Sequence, residues 1–188
     1  MMSQIPNYLQ DAKGLLTKEG FTTSTVWYHG TSSALVSSIK SYGLKCSGDT
    51  AMKQAAKSTM ATIGNNYTES TEPVFLTQSK ELAYYWAQQT VRRRSVRFNA
   101  EESAVVLAIE LPEEQNAKVS PDVGAASLLM IKEGESYMAY VAKIYQKCNA
   151  GMLDIDLIKA HRLEYLTKLG MAYIRQNLDA KFVSVVSD

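Results

Sequence analysis

The chain is poor in the residues that carry redox and metal chemistry. It has two cysteines, Cys46 and Cys148, and two histidines, His29 and His161. None of them stands at a metal-ligand spacing, and two isolated thiols make no disulfide framework. The expectation is a cytoplasmic protein with reduced thiols and no metal. An excess of one charge is also missing: Lys and Arg total 20 against 19 Asp and Glu, a net charge of +1. A global polyanion-binding surface is therefore excluded, and any nucleic-acid contact must be a local patch. Long apolar runs are missing too. Ala104-Val105-Val106-Leu107-Ala108-Ile109 is far short of the roughly 20 residues that a membrane span needs, so no membrane contact is expected. The opening Met1-Met2-Ser3-Gln4-Ile5-Pro6 has no basic stretch and no apolar core, so no secretory signal is expected. Only four prolines and ten glycines punctuate the chain, with no linker-like cluster and no repeat. What is present is 46% hydrophobic residues in a length of 188, enough for one domain over 1–188 with a real core.

Periodicity gives a coarse map. Tyr8, Leu9, Ala12, Leu15 and Leu16 fall on one face of an N-terminal helix over about 5–18, ended by Gly20. Val26-Trp27-Tyr28-His29 is β-prone and Gly30 stops it. Ser32 or Ser33 caps a helix carrying Leu35, Val36, Ile39 and Tyr42, with Gly43 at its end. A helix is expected over 49–62 and a polar loop over 64–73. Val74-Phe75-Leu76-Thr77 is a short strand. Ser79 then caps a helix that runs through Tyr85 and Trp86 to Arg92-Arg93-Arg94, where cations suit the C-terminal end. Residues 102–111 read as a buried strand. Residues 136–147 and 154–169 read as helices, a helical insertion over about 133–169. Two β-prone pieces, 171–174 and 182–186, close the chain. Strands at both ends and in the middle with helices between give an α+β fold.

Three places carry a chemical signal. Tyr28-His29-Gly30-Thr31 ends a strand before a capped helix. Gly30 has no Cβ to keep a ligand from the backbone, and His29 and Thr31 put donors and acceptors beside that gap. Read plainly, His29 is a satisfied structural histidine. Phe75-Leu76-Thr77 is followed by Tyr84, Tyr85 and Trp86, aromatics able to sandwich a flat ring or simply to fill a core. Met171-Ala172-Tyr173-Ile174 and residues 179–186 are, alone, only two strands.

Taken in order, these segments resemble the NAD-dependent ADP-ribosyltransferases, and most of all the diphtheria toxin and poly(ADP-ribose) polymerase group. In that family a Tyr-His-Gly-Thr strand end precedes a helix and a glycine, here Gly43, one residue later than usual. Gly64-Asn65-Asn66-Tyr67 resembles the toxin loop over the NAD site, and Phe75-Leu76-Thr77 takes the place of its Tyr-Ser-Thr. Trp86 stands eleven residues after Phe75, where the toxin has its second stacking tyrosine, with Tyr85 as a neighbouring candidate. The resemblance covers residues 25–88 and 170–186. It implies two small antiparallel sheets forming an NAD cleft edged by helices, with NAD as substrate. It implies that His29 bonds a ribose hydroxyl, that the Gly30 backbone holds the nicotinamide carboxamide, and that Phe75 and Trp86, or Tyr85, bracket the nicotinamide ring. Thr31, Leu76, Thr77, Asn66 and Tyr67 are implied as further NAD-site residues.

The family's third motif places a glutamate before an aromatic and a branched aliphatic residue. The match is Met171-Ala172-Tyr173-Ile174, with Ala172 at the glutamate position. Losing nicotinamide builds positive charge on the ribose, and a carboxylate on the 2′-hydroxyl stabilises it. Removing one such group costs about 3–4 kcal/mol, or ~10²–10³ in rate. The flanks keep the active pattern, which favours an engineered Glu-to-Ala change over a natural pseudoenzyme or NAD-binding module. Met138-Ala139-Tyr140-Val141 is a second, less suitable match, because its surroundings are helical. Glu133, Glu135 and Glu164 are substitute acids, otherwise plain surface charges. Arg92, Arg93, Arg94 and Arg97 form the one basic cluster, either a solvated helix end or a phosphate-binding patch for a nucleic-acid target. The expected activity is transfer of ADP-ribose from NAD to a protein or nucleic acid by a toxin, with an antitoxin or immunity partner. An RNA 2′-phosphotransferase shares the fold and a similar histidine motif, but its basic, histidine-containing segments are missing.

Overall fold

A computed structural model describes residues 4–68, 71–122, 124 and 130–188. Its frame is two three-stranded antiparallel sheets. In the first, β5 (Ala104–Glu110) lies between β3 (Val26–Ser32) and β8 (Val183–Val185). In the second, β7 (Ala172–Ile174) lies between β4 (Val74–Leu76) and β6 (Ser120–Pro121). The β-branched run of β5 pairs along its whole length with β3, Val26 opposite Glu110 and Ser32 opposite Ala104. Trp27, Leu107 and Ile109 from the first sheet share one buried apolar cluster with Val74, Leu76 and Ile174 from the second. The two sheets therefore close on a common core. The architecture is α+β.

The helices wrap that frame. α2 (Ser33–Tyr42) starts at Ser32, whose Oγ accepts from the Ala34 amide at 3.2 Å, and ends at Gly43 with φ 76°. α3 (Thr50–Thr62) is capped by Asp49. The long α4 (Lys80–Phe98) begins at Ser79. Its start is clasped by Asp11, whose carboxylate accepts from Ser79 Oγ at 2.6 Å and from the Lys80 amide at 2.8 Å. α6 (Lys132–Lys147) and α7 (Arg162–Leu169) build a second apolar cluster with Tyr85 and Phe21. No helix among the described residues is long and apolar enough to cross a membrane.

Gly30 explains how α4 lies so close to β3. A Cβ at this position would stand 2.0 Å from the Ala83 carbonyl oxygen and 2.5 Å from the Ala87 amide nitrogen. The lack of a side chain admits the helix on one side, while Gly30 also borders a cavity. The residues facing Gly30 on α4 are correspondingly small.

Three expected elements are corrected. The strand expected to stop at Gly30 runs on to Ser32, paired with β5 throughout. Residues 5–18 are not one helix. They form a short 3-10 turn (Asn7–Leu9), α1 (Ala12–Leu15), and a strand, β1 (Leu16–Thr17), that pairs with β2 (Gly20–Phe21). Leu9 packs with Ala83 and Val106, whereas Ala12 and Leu16 join the α6–α7 cluster. The apolar stripe thus serves two cores, and chain reversal serves it better than a helix. Residues 154–160 are likewise irregular, and Ile158 is 84% exposed, so it never joined the stripe assigned to it. Here Tyr165 Oη donates to the Leu157 carbonyl at 2.7 Å. The short α5 (Glu113–Asn116) and β6 have no counterpart in the sequence map.

A buried ion network ties the periphery to β5. Arg94 Nε donates to Glu102 at 2.7 Å, its Nη1 pairs with Asp49, and Ser32 Oγ donates to the same Glu102 oxygen. Arg94 holds the Glu102 carboxyl below the usual carboxylate range. Since Ser32 and Asp49 also cap α2 and α3, one guanidinium fixes three helices. Arg94→Ala leaves the Glu102 carboxylate, 5% exposed, and the partly buried Asp49 without their cation, and is expected to cost about 3 kcal/mol of unfolding free energy, read from denaturant titration of the two proteins.

Candidate functional site

The sheets touch at one corner. The Tyr28 amide donates to the Thr77 carbonyl at 2.8 Å, and the Thr77 amide returns a bond to Tyr28 at 2.9 Å. In an antiparallel ladder the next rung would join residue 30 to residue 75. Instead His29 Nδ1 approaches the Phe75 carbonyl at 2.8 Å. A carbonyl only accepts, so Nδ1 carries the proton. The imidazole takes the acceptor that Gly30 would have used, and the strands separate. Tyr28 turns its amide and carbonyl to Thr77. By alternation Gly30 turns its own toward the same side, away from β5.

A cavity of about 510 Å³ opens where the strands part, a volume ordinary for a small-molecule site. His29, Gly30, Phe75, Leu76, Thr77, Trp86 and Ala172 all border it. The three chemically marked segments therefore meet at one place. The ladder explains why: Leu76 lies opposite Ala172 and Phe75 opposite Tyr173. Phe75 is 48% exposed, an unusual setting for a phenylalanine that has a core beside it. Trp86 is held from behind by Tyr137 (ring centroids 4.9 Å apart) and Tyr85 (5.2 Å, edge to face). Burial lowers the His29 pKa, and the bond to Phe75 opposes the shift only in part. The ring is thus neutral at pH 7, with Nε2 as an acceptor.

Other expected site residues lie elsewhere, or border the cavity with their side chains committed to other partners. Tyr85 is buried, its hydroxyl donating to the Glu133 carbonyl at 3.2 Å and its ring stacked on Tyr140 at 4.9 Å. Adjacent helical positions diverge by about 100°, so only Trp86 reaches the cavity. Thr31 is buried and pairs with Val105. Thr77 Oγ1 is committed to the turn into α4, donating to the Ser79 carbonyl at 2.8 Å. Asn66 is exposed and Tyr67 half-buried, and neither borders the cavity. Ala172 is 1% exposed and packs in the shared core beside Leu76, so its methyl group meets apolar neighbours. Glu133 and Glu135 start α6, and Glu164 pairs with Lys168 at 3.5 Å. None of the three borders the cavity. Ala139 lies inside α6.

The basic cluster does not act as one patch, because the helix turns its members apart. Arg94 is consumed by the buried network. Arg97 donates to the Ala55 carbonyl at 2.6 Å and to Thr59 Oγ1. Arg92 is exposed, and Arg93 alone of the four borders the cavity. Residues that sequence reasoning passed over also border it: Asp122, Tyr173 and Arg175. Asp122 is the one acidic side chain among the described residues of the cavity wall, and its Oδ1 accepts from the Gly124 amide at 2.8 Å. Strand alternation from Tyr173 would have flagged Arg175. Asp122 had no such signal. Among the described residues no group of three His, Cys, Asp or Glu is placed to hold a metal.

Comparison with protein-family models, with curated proteins and with solved structures gave no match.

The depressed His29 pKa has a stability consequence. The unfolded chain takes up its proton near the ordinary value of 6.5, before the folded chain does. The native state therefore loses stability as pH falls below that value and regains it as pH rises. Unfolding midpoints measured between about pH 7.5 and about pH 5.5 are expected to fall on acidification. In His29→Asn, which keeps a donor toward Phe75, this part of the dependence is expected to vanish.

Proposed function

We propose that this chain has the frame of an ADP-ribosyltransferase, whose cavity takes the nicotinamide end of NAD. The observation that carries the reading is the convergence of His29-Gly30, Phe75 and Trp86 on one cavity that residue 172 also borders. The amide and carbonyl of Gly30, which strand alternation turns away from β5, match the carbonyl and amide of a carboxamide, which needs one donor and one acceptor side by side. His29 Nε2 accepts from a ribose hydroxyl, and its neutrality avoids repulsion of the cationic ring. Phe75 and Trp86 offer ring faces to that cation.

In the reaction the bond between ribose C1′ and the nicotinamide nitrogen breaks. Its electron pair leaves with nicotinamide, which departs neutral. A nucleophile of a protein or nucleic-acid target bonds to C1′ and gives up a proton. A toxin acting in the cytoplasm and neutralised by an antitoxin or immunity partner fits this activity. Charge building on the ribose needs a carboxylate, and Ala172 offers none. The reading is therefore of a frame that binds NAD and lacks its principal electrostatic group, by an engineered Glu-to-Ala replacement.

Release of nicotinamide from NAD tests this. Ala172→Glu, with its fold checked by circular dichroism because position 172 is 1% exposed beside Leu76, is expected to release it ~10²–10³ faster than the chain with Ala172. NAD binding without turnover in both forms would leave a binding module instead. Absence of NAD binding in both would overturn the reading.

A further inference from the structure

Each wall of the cavity carries an aromatic ring followed by a guanidinium. On α4, Trp86, Thr90 and Arg93 stand at i, i+4 and i+7, and all three border the cavity. The spacing is that of one helix face, with Arg93 roughly 10 Å along the axis from Trp86 at 1.5 Å per residue. On the opposite wall, Tyr173 lies across from Phe75. Arg175 follows two residues later with its guanidinium 5.1 Å from the Tyr173 ring centroid. Arg175 lies just past the end of β7.

The two guanidiniums differ from Arg94. Arg94 has two carboxylates, whereas among the described residues neither Arg93 nor Arg175 has a carboxylate within ion-pair distance. The acidic side chain of the wall, Asp122, bonds the Gly124 amide. Arg175 is held over a ring and exposed. Two such cations beside a slot for a flat ring call for a ligand with a ring at one end and concentrated negative charge about a sugar's length away. Guanidinium is suited to phosphate oxygens because its planar fork meets two of them at once.

We infer that Arg93 and Arg175 bind the diphosphate of a dinucleotide whose nicotinamide lies between Phe75 and Trp86. The inference rests on the proposed function and adds two binding residues to it. The rival source of phosphate is the backbone of a nucleic acid.

Calorimetric titration of the full chain with nicotinamide, ADP-ribose, NAD and a short single-stranded oligonucleotide separates these. Arg93→Ala and Arg175→Ala are each expected to weaken NAD and ADP-ribose about tenfold or more while leaving nicotinamide affinity within about twofold. Arg175→Lys is expected to recover part of the loss, since it keeps charge without the fork. Far-ultraviolet circular dichroism confirms that the variants fold. NAD affinity unchanged in both alanine variants overturns the assignment and leaves the proposed function standing. So does a loss confined to the oligonucleotide, or an equal loss of nicotinamide. No binding of nicotinamide or NAD by the parent chain overturns both.

Discussion

The hydrogen bond from His29 Nδ1 to the Phe75 carbonyl stands where the β3–β4 ladder would otherwise continue. Had the ladder closed, Gly30 would spend its amide and carbonyl on residue 75, and no cavity would open at the corner. A side chain thus interrupts a strand pairing with one well-placed donor. The carbonyl of Phe75 stays satisfied, so opening the sheets does not strand a buried acceptor. The cost falls on the imidazole, which is half-buried and whose pKa is lowered by desolvation. One interaction sets the strand separation, the tautomer of His29 and the exposure of a backbone donor–acceptor pair.

The second wall depends on how closely α4 can approach. Gly30 removes the Cβ that would strike the helix backbone, and Ala83 and Ala87 keep the helix surface flat. Asp11 and Ser79 fix where the helix starts, and Arg94 fixes its far half through Asp49 and Glu102. With both ends held, the face carrying Trp86 and Arg93 points to the same cavity as β4 and β7. The aromatic packing of Tyr85, Tyr137 and Tyr140 behind Trp86 makes that wall stiff. A stiff wall suits recognition of a rigid planar group, because little side-chain freedom is lost on binding.

Much of this was legible in the chain, for identifiable reasons. Residues 74–76 and 104–110 form strands because β-branched and aromatic runs stop at proline or polar breaks, whereas the first strand, expected to stop at Gly30, runs on to Ser32 because β5 pairs with it along its whole length. Ser32, Asp49 and Ser79 announce helix starts through capping chemistry that acts locally. The site segments could be picked out because each joins reactive or aromatic residues to a strand end. What stayed hidden depends on tertiary partners. The stripe of residues 8–16 looks helical, yet its members serve two different clusters. Tyr85 and Trp86 are equivalent in sequence and opposite in space. Four neighbouring arginines look like one patch, yet carboxylates from residues 49 and 102 claim one of them. Asp122 reaches the cavity through the β6–β7–β4 pairing, which no local pattern encodes.

The central claim is that Gly30, although inside a strand, has an amide with no partner until a ligand supplies one. Amide hydrogen exchange, resolved by nuclear magnetic resonance with and without nicotinamide, measures this directly. Tyr28, His29 and Thr31, paired with Thr77 or β5, should exchange slowly. Gly30 should exchange much faster and become protected when nicotinamide is added. A Gly30 amide as protected as its neighbours in the free protein, or one indifferent to nicotinamide, would contradict the account.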